Sequence, residues 1–266
     1  MNRSRLLGHA GRVAVALAIA TGTLAVTATS PHAGLSAVSH HVRIPADTHQ
    51  RGHQPPGPWA SSNWSGYAIT GSRGHFTAVT AHWVVPAVSL SSGPTYSSNW
   101  VGIDGFNNSN LIQTGTESDY TNGSAQYDAW WEILPAAETV VFKVNAGDNI
   151  TASISRGSSG IWTISITDTS SGGSSVTTHS YRGQLTSAEW IEEAPSVGGG
   201  IATLADYGTA VFDPGTANGG SPGLTASNSG VMIQNGAQVS TPSTPDTDVD
   251  GFTVAYGASA PSPPGS

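Results

Sequence analysis

Short strand-like segments recur along most of this sequence, and they constrain its fold more than any other feature. Residues that favour turns, as in Asn107-Asn108-Ser109 and Asp213-Pro214-Gly215, separate these segments. Many short strands joined by such turns are typical of an antiparallel sandwich or barrel. A single turn near Ala202 to Tyr207 is the only candidate helix. We expect one all-β domain over residues 59–257, with strands near residues 62–69, 75–84, 96–104, 110–116, 124–134, 138–144, 148–155, 160–168, 174–181, 186–193, 208–212, 229–235 and 249–257.

The first 28 residues have the pattern of a secretory signal peptide. Arg3, Arg5 and Arg12 form a basic start, an apolar run follows from Val13 to Val26, and small residues up to Ala28 offer a cleavage site. The apolar run is short for a transmembrane helix, although an uncleaved anchor is the alternative. We therefore expect a secreted, extracellular protein.

Residues 29–58 and 258–266 lack the periodicity of the central region. The first of these segments is rich in histidine and ends in a proline-rich stretch, so we interpret it as a pro-segment or flexible leader. Its adjacent His40 and His41 lack the spacing that a metal site needs. The second segment contains three prolines and is predicted to be a flexible tail.

Composition excludes several classes of function. The chain has no cysteine, which rules out disulfides, thiolate metal sites and a cysteine nucleophile. Residues 1–57 contain five arginines and one aspartate, whereas the remaining residues contain four basic and sixteen acidic side chains. A domain with this negative charge repels nucleic acids and anionic membranes. We expect neither as a partner, and we expect a monomer because no feature indicates an oligomer.

Two segments place tryptophan and acidic side chains on the same strand face. Alternation along Tyr127–Leu134 puts Asp128, Trp130 and Glu132 on one face, opposite an apolar face suited to the core. Trp100, Gly102 and Asp104 share a face of their segment in the same way. We expect these faces to line an exposed groove that binds an extended chain.

A third segment holds the densest cluster of carboxylates in the chain. In Ser187–Glu193, alternation puts Glu189, Ile191 and Glu193 on one face and Trp190 and Glu192 on the other. The chain lacks the His-Glu-x-x-His zinc motif and the Asp-Thr-Gly motif of pepsin-like proteases. The three histidines after residue 58 (His75, His82 and His179) are expected to be packed or surface strand residues.

Six motifs occur in an order that resembles the glutamic peptidases, also called eqolisins or peptidase family G1, formerly A4. They lie between residues 59 and 257, at Asn63–Tyr67, Trp100–Gly105, Ile112–Gly115, Trp130–Glu132, Ala188–Ile191 and Tyr207-Gly208. The resemblance implies an antiparallel two-sheet β-sandwich, similar to the concanavalin-like jelly rolls. It further implies an acid-active, pepstatin-insensitive endopeptidase that cleaves proteins or peptides without a metal, another cofactor or a covalent intermediate.

The resemblance assigns catalysis to Gln113 and Glu189. A carboxylate of Glu189 would take a proton from water and return it to the leaving nitrogen, while the Gln113 amide would stabilise the oxyanion. A base that works in acid must remain ionised, so we expect hydrogen bonds to lower the pKa of Glu189. The matching positions with a supporting or substrate-binding role are Trp64, Trp100, Asp104, Glu117, Trp130 and Glu132.

Two other functions remain open from the residues alone. A carbohydrate-binding sandwich would also carry tryptophans and carboxylates in a groove. A glycoside hydrolase of the same architecture would use a pair of carboxylates such as Glu132 and Glu189, about 5 to 9.5 Å apart. Neither function requires an amide at Gln113, which favours the peptidase. If the motif were shifted, Glu192 would be the alternative carboxylate.

Overall fold

The computed structural model describes residues 44–45 and 58–266, and secondary structure in this part is almost entirely β. The strands are β1 (Trp59–Ser61), β2 (Trp64–Thr70), β3 (Ala78–Val84), β4 (Ser98–Ile103), β5 (Ile112–Thr121), β6 (Ser124–Ile133), β7 (Thr139–Lys143), β8 (Asn149–Arg156), β9 (Ile161–Asp168), β10 (Ser174–Ser180), β11 (Ser187–Glu193), β12 (Ser196–Val197), β13 (Gly200–Ile201), β14 (Thr209–Ala217), β15 (Ser229–Gln234), β16 (Ala237–Pro242) and β17 (Phe252–Tyr256). One turn of 3-10 helix spans Ala226–Asn228. No helix in the described part is long and apolar enough to cross a membrane.

The helical turn predicted near Ala202 to Tyr207 is wrong. Backbone groups of this segment bond to a neighbouring chain segment instead, because Tyr96 N donates to Thr203 O and Ala205 N donates to Tyr96 O. A segment whose backbone groups are used in this way cannot also form helical hydrogen bonds.

The strands form one long hydrogen-bonded path that folds into two facing layers. Its order is β10-β9-β8-β3-β14-β17-β16-β15-β2-β11-β4-β5-β6-β7, and β1 adds to β15 in parallel. All other pairs between named strands of the described residues are antiparallel. The two halves pack on each other, with β4 against β3 and β8 and β5 against β8 and β9. The predicted all-β, two-sheet sandwich is confirmed.

The main core lies between these two layers. Alternation along β9 buries Trp162, Ile164 and Ile166, and alternation along β4 buries Val101 and Ile103. Every second side chain of a strand points to the same face, so both strands present an apolar face to the space between the layers. The opposite face of β4 and its neighbours is therefore available for a different set of side chains.

A second apolar cluster occupies that opposite face. It is formed by Trp59, Trp64, Ala68, Trp100, Leu111, Trp130 and Ile191, with Phe106 and Leu134 packed against it. The rings of Trp64 and Trp100 meet edge to face with centroids 4.8 Å apart. Trp64, Trp100 and Trp130 are 0% exposed, so the expectation of exposed groove tryptophans is wrong. Trp59 and Phe106 pack edge to face in this cluster and help to enclose it.

The predicted chain-end assignments mostly fall outside the described part. Residues 1–28 and all of 29–58 except Ile44, Pro45 and Pro58 lie beyond it, so the signal peptide and the pro-segment stay predictions. Asn63 Nδ2 donates to Ile44 O at 3.2 Å. Residues 258–266 have no regular secondary structure, and their flexibility also stays a prediction.

Candidate active site

Four polar or small residues form one row across four neighbouring strands. Glu189 on β11 pairs with Gly102 on β4, Gly102 pairs with Gln113 on β5, and Gln113 pairs with Glu132 on β6. Residues that are directly opposite in adjacent strands carry their side chains on the same face of the sheet. Glu189, Gln113 and Glu132 therefore project from one face, which is the face of the tryptophan cluster.

Gly102 provides the space between the two predicted catalytic side chains. A Cβ atom at this position would lie 2.8 Å from Trp100 Cζ3, closer than real Cβ atoms approach, and 3.2 Å from Ile112 O. The Cα atoms of Glu189 and Gln113 are two strand spacings apart, about 9.5 Å. With no side chain between them, a carboxylate and an amide can approach the same small molecule from opposite sides.

The amide of Gln113 is held in one orientation by Glu132. Gln113 Nε2 donates to Glu132 Oε2 at 2.7 Å, and both side chains are fully buried. An amide nitrogen carries two hydrogens, so one remains for another acceptor. Gln113 Oε1 accepts no hydrogen bond from the described residues. The Gln113 side chain can thus offer both a donor and an acceptor to a ligand.

Glu189 is a buried carboxylate without hydrogen-bond partners of normal geometry. It is 0% exposed, and neither Oε1 nor Oε2 accepts a hydrogen bond within the described part of the chain. Burial raises the pKa of Glu189 well above its ordinary value, the Ser187 hydroxyl lowers it in part, and the charge of Asp104 raises it further. The expectation of a lowered pKa is wrong, because desolvation outweighs the polar contacts.

The two neighbouring glutamates are already engaged in hydrogen bonds. Glu193 Oε2 accepts from Trp100 Nε1 at 2.8 Å, and Glu192 Oε2 accepts from Asn99 Nδ2 at 2.6 Å. Glu189, alone among the three, stands in the row with Gly102 and Gln113. The structure therefore separates Glu189 from Glu192 by environment as well as by motif.

Asp104 fastens the segment that leads into β11. It has a left-handed backbone, with φ 71°. Its carboxylate accepts hydrogen bonds from Leu185 N at 2.9 Å, Thr186 N at 3.0 Å and the Tyr181 hydroxyl at 2.8 Å. Burial and the charge of Asp104 raise the pKa of Tyr181 above its ordinary value. Asp104 holds the approach to Glu189 in position, and its carboxylate is saturated by these donors.

The remaining predicted residues lie outside the row. Glu117 is nearly buried and shares the Gln113 face of β5, but it is four residues further along the strand, about 13 Å away. It pairs with Ser98 and Asp128. Trp64, Trp100 and Trp130 pack beside the row in the apolar cluster.

The histidines occupy packed or surface positions, as expected. His82 Nδ1 lies 3.0 Å from Asp213 O, and the His179 ring packs on Trp131 with centroids 4.3 Å apart. His75 packs edge to face on Phe76. Among the described residues, none of these three histidines forms a hydrogen bond with Glu189 or Gln113.

The geometry favours a carboxylate–amide pair over a pair of carboxylates. The Cα atoms of Glu132 and Glu189 are three strand spacings apart, about 14 Å. Gln113 stands between the two glutamates in the row and bonds to Glu132. A glycosidase needs two carboxyl groups facing one sugar ring, without an intervening amide.

Comparison with known proteins identifies the family. The model of the peptidase A4 family matches residues 62–256. Aspergillopepsin-2 of Aspergillus niger is 30% identical over 227 residues, which cover 74% of this chain and 78% of the relative.

Solved structures agree with this match. A scytalido-glutamic peptidase with a peptide-based transition-state analogue superposes with a TM-score of 0.61 at 25% identity, over 73% of this chain and 98% of the other. Aspergilloglutamic peptidase from Aspergillus niger gives a TM-score of 0.52 at 28% identity, over 61% and 99%. SCP-B, an eqolisin in complex with the tripeptide Ala-Ile-His, gives 0.58 at 25% identity, over 73% and 98%. Because sequence and fold agree over one region, the chain belongs to the peptidase A4 family, the glutamic endopeptidases known as eqolisins.

Proposed function

We propose that this peptidase hydrolyses peptide bonds with Glu189 as general base and Gln113 as the group that stabilises the oxyanion. One observation carries this proposal, namely the cross-strand row in which Gly102 separates the two side chains. Both are fully buried, and both have oxygen atoms without a partner in the described residues. Buried polar atoms without partners are costly, and catalytic sites are where such atoms are used.

The reaction begins with a water molecule between Glu189 and the carbonyl carbon of the scissile bond. Ionised Glu189 takes one proton of this water while the water oxygen bonds to the carbonyl carbon. Negative charge develops on the former carbonyl oxygen, and the free Nε2 hydrogen of Gln113 donates to it. The protonated Glu189 then gives its proton to the amide nitrogen as the C–N bond breaks. The carboxylate is regenerated, and no covalent intermediate is needed.

Glu132 acts in this scheme as a positioning residue for Gln113. Its carboxylate accepts one Nε2 hydrogen at 2.7 Å, which fixes the plane of the amide before substrate arrives. Preorganised donors stabilise a transition state more effectively than donors that must reorient. Because this bond turns the amide nitrogen of Gln113 toward Glu132, the amide oxygen remains available to accept a hydrogen bond from the attacking water.

Proteins or peptides are the proposed substrates. The peptide-derived ligands named for two of the related structures support this choice. We further propose a monomer that needs no cofactor for catalysis, because the carboxylate and the amide supply both proton transfer and oxyanion stabilisation.

The pH dependence of Ser187→Ala tests the role of Glu189. The Ser187 hydroxyl lowers the pKa of Glu189, so its removal is expected to raise that pKa further. A general base gains activity as pH rises through its pKa, and the acidic limb of the kcat/KM profile should therefore move to higher pH. Profiles of wild type and variant measured on one peptide substrate give the shift.

Ser118→Ala is the matched control for this experiment. Ser118 is a buried serine on β5, one residue from Glu117 on the other face of the strand. Its removal should leave the acidic limb unchanged. An acidic limb that stays in place in Ser187→Ala, or moves to lower pH, would contradict Glu189 as the titrating base.

Export of the enzyme is proposed from the first 28 residues. A basic start, an apolar run and small residues near Ala28 are expected to direct secretion and to be removed. The full chain should be expressed in a bacterial or fungal host that secretes proteins. N-terminal sequencing of the protein recovered from the medium then checks this prediction. A first residue between positions 29 and 59 is expected, whereas protein retained in the cells with Met1 intact would contradict it.

A further inference from the structure

The connection between β16 and β17 contains a pattern of alternating aspartates. It reads Asp246-Thr247-Asp248-Val249-Asp250-Gly251. Aspartates at positions 1, 3 and 5 followed by glycine at position 6 open the calcium loops of EF-hand type. The twelfth position, where an EF-hand has a bidentate glutamate, is Gly257 here. The pattern alone is therefore incomplete, and a further ligand must come from elsewhere in the fold.

Asp213 supplies an additional carboxylate from a distant part of the chain. It lies in β14, within the irregular pairing between Phe212 and Gly215. Carboxylate oxygens of Asp213, Asp246 and Asp250 all lie within 4.8 Å of one another. The backbone fastens the two segments together, because Gly215 N donates to Asp250 O at 2.9 Å.

Gly251 leaves the centre of this cluster open. A Cβ atom at this position would collide with Asp246 Oδ2 and would lie 2.8 Å from Asp213 Oδ1. The loop is closed by Asp246 N donating to Gly251 O at 3.0 Å, and Asp250 N donates to Asp246 Oδ1 at 3.2 Å. The remaining oxygen of Asp246 thus points to the same small volume as the oxygens of its neighbours.

Oxygens in this volume are buried without partners. Asp246 is only 6% exposed, and its Oδ2 accepts no hydrogen bond from the described residues. Asp250 Oδ1 is also buried, and it accepts no hydrogen bond from the described residues. No lysine or arginine in the described ranges forms an ion pair with the three aspartates. A buried carboxylate oxygen with neither donor nor counterion is unfavourable unless a cation completes the arrangement.

We propose that Asp213, Asp246 and Asp250 bind a calcium ion that stabilises the fold. The ligands are all oxygen atoms, which excludes metals that prefer sulfur or imidazole. Calcium accepts six to eight oxygens in irregular geometry and is suited to a loop that combines carboxylates with backbone carbonyls. Magnesium requires a near-ideal octahedron and retains its waters, so it fits such a loop less well.

The charge around the cluster agrees with a cation site. Burial, together with the charges of Asp246 and Asp248, raises the pKa of Asp213 above its ordinary value, and His82 lowers it in part. Burial and the same neighbouring aspartates, with Asp213, raise the pKa of Asp250. Like charges therefore face one another in this cluster, and a bound cation would offset their repulsion.

The site lies behind the strand that carries Glu189. Gly215 packs closely on Trp190, the residue after Glu189, because a Cβ atom on Gly215 would lie 2.7 Å from the indole nitrogen. At the start of the loop, the Tyr67 hydroxyl donates a hydrogen bond to Ser243 O. Burial and the charge of Asp246 raise the pKa of Tyr67, so this group stays neutral. A cation that holds the loop would support β2 and β11 from the side opposite the catalytic row.

Thermal unfolding at pH 7 tests the proposal with the purified full chain. After treatment with EDTA and dialysis, about 10 mM CaCl2 should raise Tm by about 3 to 10 °C, as expected for a site of extracellular affinity in a domain of this size. The same concentration of MgCl2 should give a smaller rise. Titration calorimetry should give one calcium ion per chain.

Asp246→Asn should lose the calcium-dependent rise in Tm. Without calcium this variant should be as stable as wild type or more stable, because one of the repelling charges is gone. Asp206→Asn, which removes an equal charge away from the cluster, should keep the full rise. If Asp246→Asn does not fold, Asp250→Asn gives the same comparison. No calcium-dependent rise in wild type, an equal rise in the cluster variants, or an equal effect of magnesium would overturn the proposal.

Discussion

Glu189→Gln is expected to lower kcat by about 10⁴-fold while the protein remains folded. The amide has the same size as the carboxylate, so the packing against Ala68 and the strand pairing are preserved. It can neither take a proton from water nor return one to the leaving nitrogen. Hydrolysis of an acid-denatured protein and of a short peptide, each with and without pepstatin, measures the loss.

The stability of this variant distinguishes a catalytic from a structural role. Because burial raises the pKa of Glu189 in the folded protein, stability is lost as pH rises from the ordinary pKa of a glutamate through this raised pKa. Glu189→Gln should therefore have the same Tm as wild type at pH 4 and an equal or higher Tm at pH 7. If Glu189 were needed only for folding, Glu189→Gln would have a lower Tm than wild type at both pH values.

Glu192→Gln is the matched control for the choice of carboxylate. Its side chain keeps an oxygen that accepts from Asn99 Nδ2, and it is not in the row with Gln113. It should retain most of the activity. A variant at Glu192 that is inactive, together with an active Glu189→Gln, would keep the enzyme class and move the base to Glu192.

Gln113→Ala is expected to lower kcat by about 10²- to 10³-fold, with a smaller change in KM. The variant loses the donor to the oxyanion, whose charge develops only as the transition state is approached. General base catalysis by Glu189 remains, so the loss should be smaller than in Glu189→Gln. Steady-state kinetics on the same peptide separate kcat from KM.

The partner of Gln113 must be considered in this measurement. Removing the amide leaves Glu132 without the 2.7 Å bond from Nε2, which costs about 1 to 3 kcal/mol of stability. Assays at temperatures well below Tm ensure that this loss of stability does not lower the measured kcat. Gln126→Ala, at an exposed glutamine on β6, is the control and should leave kcat unchanged. An unchanged kcat in folded Gln113→Ala would reject the proposed oxyanion group.

Sequence patterns predicted most strands because the alternation of side chains is a local property. Ile161–Asp168 carries clear alternation, and both this strand and Ser187–Glu193 lie close to the predicted positions. β16 was missed because Ala237–Pro242 contains glutamine, serine, threonine and proline rather than a run of apolar residues. Its place between β15 and β17 supplies the hydrogen bonds that its own sequence does not predict.

The motifs also predicted which face of each strand carries the site, but not how buried that face is. The sequence predicts Trp100 and Trp130 in an open groove, because each shares a strand face with acidic residues. The sequence of one strand does not show which other segments cover that face. Residues from other segments, among them Trp59 and Leu111, complete a cluster around them. The same enclosure raises the pKa of Glu189, which sequence reasoning placed below its ordinary value.

The sequence by itself determined the family and the β architecture, because these depend on local alternation and ordered motifs. It also predicts which carboxylate and which amide form the catalytic pair. Tertiary structure alone decided which residues meet. Strand order places Glu189 and Gln113 on either side of Gly102, and a bulge in β14 brings Asp213 to Asp250. Pairing between distant strands and desolvation arise only when the whole chain packs, so no local pattern contains them.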